Sequence, residues 1–150
     1  MTLPGRIAVA LAMLFGEVEA APYCSGEEVA NARAAASGLR DWEAMYDAFH
    51  RFSQCETAEV SAAFSASIAY LLTTGWSELH DLEHFAEANR GFRAFVVMHI
   101  DTSVGEAELR QILRNTAHCP GYARPICRQI EYHARAALRC ASGRRNEADC

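Results

Sequence analysis

Six cysteines constrain what this chain can fold into more than any other feature: Cys24, Cys55, Cys119, Cys127, Cys140 and Cys150. All six lie behind a short apolar segment preceded by a single arginine. Arg6 and the initiator amine make a positive start, Ile7 to Phe15 an apolar run, and Val18-Glu19-Ala20 a stretch with small residues where signal peptidase requires them. Residues 1–20 therefore read as a cleavable signal peptide, cut after Ala20. The apolar run is far shorter than the roughly 20 residues that span a bilayer, so no stable membrane insertion of the mature chain is expected. An even number of cysteines in an exported chain implies a disulfide framework, and it places the protein in the periplasm or outside the cell.

Six cysteines allow fifteen connectivities, and helix geometry removes some of them. Cys127 and Cys140 fall on one helical stretch about 20 Å apart, beyond the roughly 7 Å that a disulfide can bridge. Cys119 and Cys127 flank the turn-rich Pro120-Gly121-Tyr122-Ala123-Arg124-Pro125, which favours pairing them. Cys24 and Cys55 can pair if the chain reverses at Ser37-Gly38, and Cys140 with Cys150 follows by elimination. No C-x-x-C occurs, and the spacings match no zinc-ligand pattern.

Between the cysteines the chain reads as helix throughout. Residues 21–150 form one helical domain, and the fold class is an all-α, disulfide-stapled orthogonal bundle of six to seven helices with a loose polar tail at 141–150. Ser25-Gly26-Glu27-Glu28 is a capping box, and Ser37-Gly38 breaks the helix that follows. A second helix from about Leu39 to Phe52 carries Trp42, Met45, Tyr46, Phe49 and Phe52 on one broad face. Thr57 caps a third whose small residues, among them Ser65 and Ala69, suit a central position. The fourth opens at Ser77 and turns Leu79, Leu82, Phe85 and Ala86 inward, and the fifth covers Phe92 to Ile100. Ser103-Val104-Gly105-Glu106 reads as a second capping box, and the last helix runs to about Cys140 with Ile126, Ile130, His133, Ala137 and Leu138 on one side.

Composition narrows the function classes. The formal net charge of −5 becomes −4 once Arg6, Glu17 and Glu19 leave with the signal, which argues against nucleic acid or anionic membrane as partners. Every lysine-or-arginine position is arginine, consistent with a GC-rich bacterial genome.

Four constellations invite a functional reading. His80 and His84 lie four apart on one helical face with Glu83 and Glu87 near, a metal-ligand spacing that equally describes a solvated face. His99 projects along an apolar face with Asp101 two residues on. The pair reads either as a core histidine with its hydrogen-bond partners or as the general base of a hydrolase-type enzyme. No G-x-S-x-G or other nucleophile motif accompanies it. The aromatic residues from Trp42 to Phe52, with Tyr70 and Trp76, read as core or as the lining of a small-ligand pocket. Finally, Arg124, Arg128, Arg135, Arg139, Arg144 and Arg145 gather in the last quarter with acids interspersed, a mixed solvated surface or the seat of an acidic partner.

The stretch from Tyr46 to Asp101 resembles a family of small uncharacterised exported helical proteins of proteobacteria. The matching residues are Tyr46, Phe49 and Phe52 before Cys55, then Ser65, Ser67, Leu71-Leu72, Trp76, Phe92, Phe95-Val96 and His99-Ile100-Asp101. Where such proteins commonly carry an acidic, glycine-containing turn after the cysteine, this chain has Glu56-Thr57-Ala58-Glu59. The resemblance implies export and a helical fold and brings no catalytic residue with it. In class and size, without a shared motif, the chain is also similar to the periplasmic immunity proteins that neutralise type VI secretion effectors. The expectation is a non-enzymatic exported protein, without cofactor, that binds another protein; a ligand or metal carrier is the alternative.

Overall fold

Four of the helices begin where a polar side chain closes the first turn, at Ser25, Asp41, Thr57 and Asn89. Each accepts a hydrogen bond from a backbone N–H that the helix leaves without an internal partner. The computed structural model describes residues 24–143 and is an all-α bundle, with seven α-helices and no strand among those residues. They are α1 (Gly26–Ala36), α2 (Trp42–Phe52), α3 (Ala58–Thr73), α4 (Leu79–Ala88), α5 (Arg90–Met98), α6 (Glu106–Thr116) and α7 (Arg124–Ala141). Short 3-10 turns at Ser53–Cys55, Trp76–Glu78 and Gly121–Ala123 join some of them. The signal segment Met1 to Ala20 lies outside the described residues, as does most of the tail.

The capping box at Ser25 forms in full, with Glu28 N–H donating to the Ser25 hydroxyl and Ser25 N–H to Glu28 Oε2. The second expected box does not. Helix α6 is capped by Gly105, and Ser103 turns instead to Asp101, donating both its N–H and its Oγ–H to Asp101 Oδ1. A short acceptor two residues upstream captures the serine before it can cap the helix. Helix α2 starts at Trp42 rather than Leu39 because Asp41 is the capping residue. Helix α5 is shifted two residues N-terminal of its expected span, from Arg90 to Met98, because Asn89 caps it.

Helix α3 is central. Val60, Phe64, Ser65, Ser67, Ile68, Ala69, Leu71 and Leu72 are all buried, and the helix packs on α1 and on α6. Helix α6 in turn packs on α7, while α4 and α5 pair and α5 lies against α7. One continuous core joins Trp42 and Met45 of α2 with Leu82 of α4, Phe92 and Val96 of α5, Leu109 and Ile112 of α6, and Ile126 and Ile130 of α7. Within it the aromatic rings stack on one another: Tyr46 lies 4.6 Å from Phe85 and meets Phe92 edge-on at 5.0 Å, and Phe64 meets Phe95 edge-on at 4.9 Å. The aromatic face of α2 is thus spent on packing. On α7 the buried stripe is Ile126, Ile130, Ala134 and Ala137, so Ala134 takes the inward place expected of His133.

The chain reverses at Ser37-Gly38, where Gly38 takes φ +75°. A left-handed backbone of this kind costs a residue with a Cβ about 1–2 kcal/mol, which glycine avoids. Ser67 locks the reversal from the side. Its hydroxyl donates to Ala36 C=O at 2.7 Å and accepts from Leu39 N–H at 3.2 Å. Asn115 of α6 treats the far end of α3 similarly, donating to the carbonyls of Leu72 and Thr73. With α1 folded back, the Cys24–Cys55 disulfide closes, its Cα atoms 5.4 Å apart, and Cys119–Cys127 closes the connection into α7. Cys140 is also disulfide-bonded, but the expected bridge to Cys150 lies outside the described residues. These disulfides fit a secreted or periplasmic protein. No helix among the described residues is long and apolar enough to cross a membrane.

Replacing Ser67 with alanine strands a carbonyl and an N–H at a half-buried turn, and should lower stability by about 1–3 kcal/mol. Urea titration of oxidised protein will measure it. A loss confined to a few tenths of a kcal/mol would show that the hydroxyl does not hold the turn.

Candidate functional site

Helix α5 ends on His99, the only buried histidine among the described residues, at 3% exposure. Its Nδ1 lies 2.7 Å from Phe95 C=O. A carbonyl only accepts, so Nδ1 carries the hydrogen. The other nitrogen, Nε2, is shielded from solvent and sits 2.9 Å from Glu56 Oε1 without the alignment of a good hydrogen bond. Nε2 and the Glu56 carboxylate are thus in close polar contact without forming an aligned hydrogen bond. The ring also packs on Phe95, with centroids 4.2 Å apart, and faces Phe64 edge-on at 5.8 Å. Glu56 follows Cys55 directly, so the Cys24–Cys55 staple brings the carboxylate to the histidine.

Asp101 does not join His99. Its Oδ1 serves Ser103, and its Oδ2 lies 3.5 Å from the buried Ser65 hydroxyl. The carboxylate that approaches the imidazole is Glu56, which no local spacing in the chain links to His99. A general base must reach the proton that it removes, and Nε2 in this arrangement is covered by its own partner. What the geometry provides is a tie between the Cys55–Glu56 segment and α5.

His80 and His84 lie on the exposed side of α4. His80 Nε2 is 3.0 Å from Asp81 Oδ1, and the His84 ring rests edge-on against Phe85. Among the described residues no three His, Cys, Asp or Glu side chains are grouped so as to hold a metal ion.

An open cleft lies between α5 and α7. Its wider part, about 680 Å³, is lined by Arg90, Arg93, Ala94 and Val97 from α5 and by Pro125, Arg128, Gln129, Tyr132 and His133 from α7. Beyond His133 it continues into a depression of about 240 Å³ bounded by Met98, Ile100, Asp101, Ala136 and Ala137. Residue numbers rise together along both walls, so the two helices run in the same direction and both N-termini stand at the arginine end. The construction follows from helical period. Positions 90, 93, 94, 97 and 98 are one stripe of α5, and 125, 128, 129, 132, 133 and 136 are one stripe of α7, beside the buried row of each.

Electrostatics divide the cleft. Neither α5 nor α7 has an acid in its first turn, and both begin with arginine. Positive side chains therefore join the positive end of the α7 dipole, and at α5 they stand where the carbonyl end of α4 meets the α5 N-terminus at Asn89. Arg90, Arg93 and Arg128 have no carboxylate within ion-pair distance among the described residues. Arg93 is held by its Nε–H bond to Ala86 C=O, which orders the guanidinium without neutralising it. By contrast Arg135 and Arg110 are occupied with Glu131 and Glu106 one helical turn away. The arginine cluster of the last quarter thus splits: Arg135 pairs within α7, and Arg128 joins two arginines from α5. At the other end exposed Met98 (68%) and Tyr132 (65%) stand beside small apolar residues, with the Asp101 carboxylate and Thr102 at the margin.

Half-burial lowers the His133 imidazole from its usual value of 6.5. The sequence placed neither α5 stripe nor its arginines in a site, although the spacing Arg90, Arg93, Ala94, Val97, Met98 was legible. No family model matches the chain, and no curated protein or solved structure does either.

Two outcomes follow. His99→Gln removes the tie to the Cys55–Glu56 segment and should lower stability by about 1–3 kcal/mol. Glu56→Gln keeps a polar group beside Nε2 and should cost much less; equal losses would refute a tolerance of the uncharged partner. For His133, the depressed value means that the unfolded chain takes up a proton first as pH falls through the ordinary imidazole range. Its contribution to stability is therefore absent above that range and becomes unfavourable below it. Denaturation curves between pH 8 and pH 5 should fall more steeply for the natural chain than for His133→Gln, and identical slopes would contradict the assignment.

Proposed function

We propose that this is a non-enzymatic exported protein that works in the periplasm by binding another protein, as an inhibitor or immunity factor does. One observation carries the reading: the α5–α7 cleft leaves Met98 and Tyr132 exposed beside arginines that no carboxylate among the described residues neutralises. Aromatic residues, methionine and arginine are the types enriched where proteins meet, and they concentrate binding energy there. The signal-like segment and the cysteine framework support export, and the similarity in class and size to periplasmic immunity proteins agrees with it. The sealed environment of His99 and the dispersed positions of His80, His84 and Asp101 favour binding over catalysis or metal carriage.

Site-specific photo-crosslinking in the producing cells tests the reading. A benzophenone amino acid placed singly at Tyr70, Tyr122 or Tyr132, all exposed, should give an adduct of one defined protein mass from at least one position. Native mass spectrometry of the purified chain should show no retained small molecule. A retained ligand mass with no protein adduct at any of the three positions would replace protein binding with a carrier role.

A further inference from the structure

We infer that the α5–α7 cleft receives an acidic segment of the partner, with carboxylates at Arg90, Arg93 and Arg128 and an apolar side chain seated between Tyr132 and Met98. This rests on the protein-binding reading above and names the surface and the chemistry of what fills it. Charge complementarity selects the occupant. The chain as a whole carries −5, yet this cleft gathers three arginines that the described residues leave unpaired. The α7 N-terminus adds its positive dipole end to these side chains, while at α5 the adjoining carbonyl end of α4, to which Arg93 donates, offsets the N-terminus. Guanidinium groups bind carboxylates in a planar, two-pronged geometry, which gives direction as well as attraction.

The other end requires something different. Met98, Ile100, Ala136 and Ala137 offer no donor, Asp101 at the margin repels a carboxylate, and Tyr132 with His133, rings 5.4 Å apart and edge-on, stands between the two regions. Arg90 and Met98 are eight residues apart on one helix, about 12 Å at 1.5 Å per residue. A matching segment therefore bears its acids and its apolar anchor about 12 Å apart, some two turns of helix or four extended residues. A free anion such as phosphate would use only the arginine end, and an anionic membrane would need no anchor of fixed spacing. Helix-in-groove and extended-peptide recognition both use this division between oriented charge and a buried apolar contact.

The test uses the intact, disulfide-bonded chain and nuclear magnetic resonance titration, which reads millimolar binding. The probes are a peptide with glutamates and a Phe-Leu pair about two helical turns apart, the same peptide with every glutamate replaced by glutamine, inorganic phosphate, and phosphatidylglycerol vesicles. The acidic peptide should shift resonances of Arg90, Arg93, Arg128, Tyr132 and Met98 together, and the glutamine peptide should bind at least tenfold more weakly. Arg90→Gln with Arg128→Gln should weaken the acidic peptide tenfold or more. Tyr132→Ser should weaken the peptide and leave any phosphate binding unchanged. All three positions are exposed, and thermal unfolding will confirm that these variants fold; Arg114→Gln on α6 is the control for charge alone.

Equal binding of both peptides, equal loss in the Arg114 control, or engagement of the cleft by phosphate or vesicles but not by peptide would overturn the inference. The crosslinking experiment separates its failure from that of the broader reading. Adducts at Tyr70 or Tyr122 but never at Tyr132 leave a protein partner in place and remove the cleft. Adducts at Tyr132 that vanish in the double arginine variant support both.

Discussion

The fold depends on one hydroxyl meeting two backbone groups. Ser67 sits on the central helix and satisfies both Ala36 C=O and Leu39 N–H where the chain turns back. Buried or half-buried backbone groups must find partners, and a reversal between two helices exposes several at once. Because the partner is on α3, the turn cannot form in isolation; it forms against the helix that the rest of the bundle is built on. The antiparallel course of α1 and α2 then brings Cys24 to Cys55, and the staple preserves what the hydroxyl organised.

That staple has an effect beyond its own loop. Glu56, the next residue, is carried to the buried imidazole of His99, which closes the C-terminal end of α5 through Phe95 C=O. A half-exposed carboxylate and a sealed histidine thereby connect the first third of the chain to the helix that forms one wall of the cleft. The opposite wall is fixed separately, by the packing of α6 on α7 and by Cys119–Cys127 at the start of α7. The two walls are each anchored from behind, so the cleft between them needs no bond across its mouth.

Local signals in the sequence were legible where they involve one turn of chain. Ser25, Thr57 and the reversal at Ser37-Gly38 could be read directly, because a cap or a glycine acts within a few residues. The same logic misled at Ser103, where Asp101 competes for the hydroxyl, and on α7, where Ala134 and not His133 lies in the buried stripe. Helical period alone does not separate a buried row from the row beside it. The cleft was less legible still. Each of its stripes is periodic, but their facing depends on α5 lying against α7, a contact between segments about thirty-five residues apart. The link between Glu56 and His99 is likewise invisible without the staple that delivers it.

Arginine at the start of a helix is in the wrong place for the helix. Arg90 and Arg124 open α5 and α7, where an acidic residue would contribute about 0.3–1 kcal/mol and a cation opposes the dipole by a similar amount, whereas Arg93 donates to Ala86 C=O at the carbonyl end of α4. The free molecule is therefore held below the stability that its own helices permit. An anionic occupant of the kind inferred above would relieve that repulsion, and part of its binding energy would be strain already present in the empty form. By linkage, whatever settles in the cleft also tightens the bundle behind it. Occupancy and the melting temperature would then be two readings of one equilibrium.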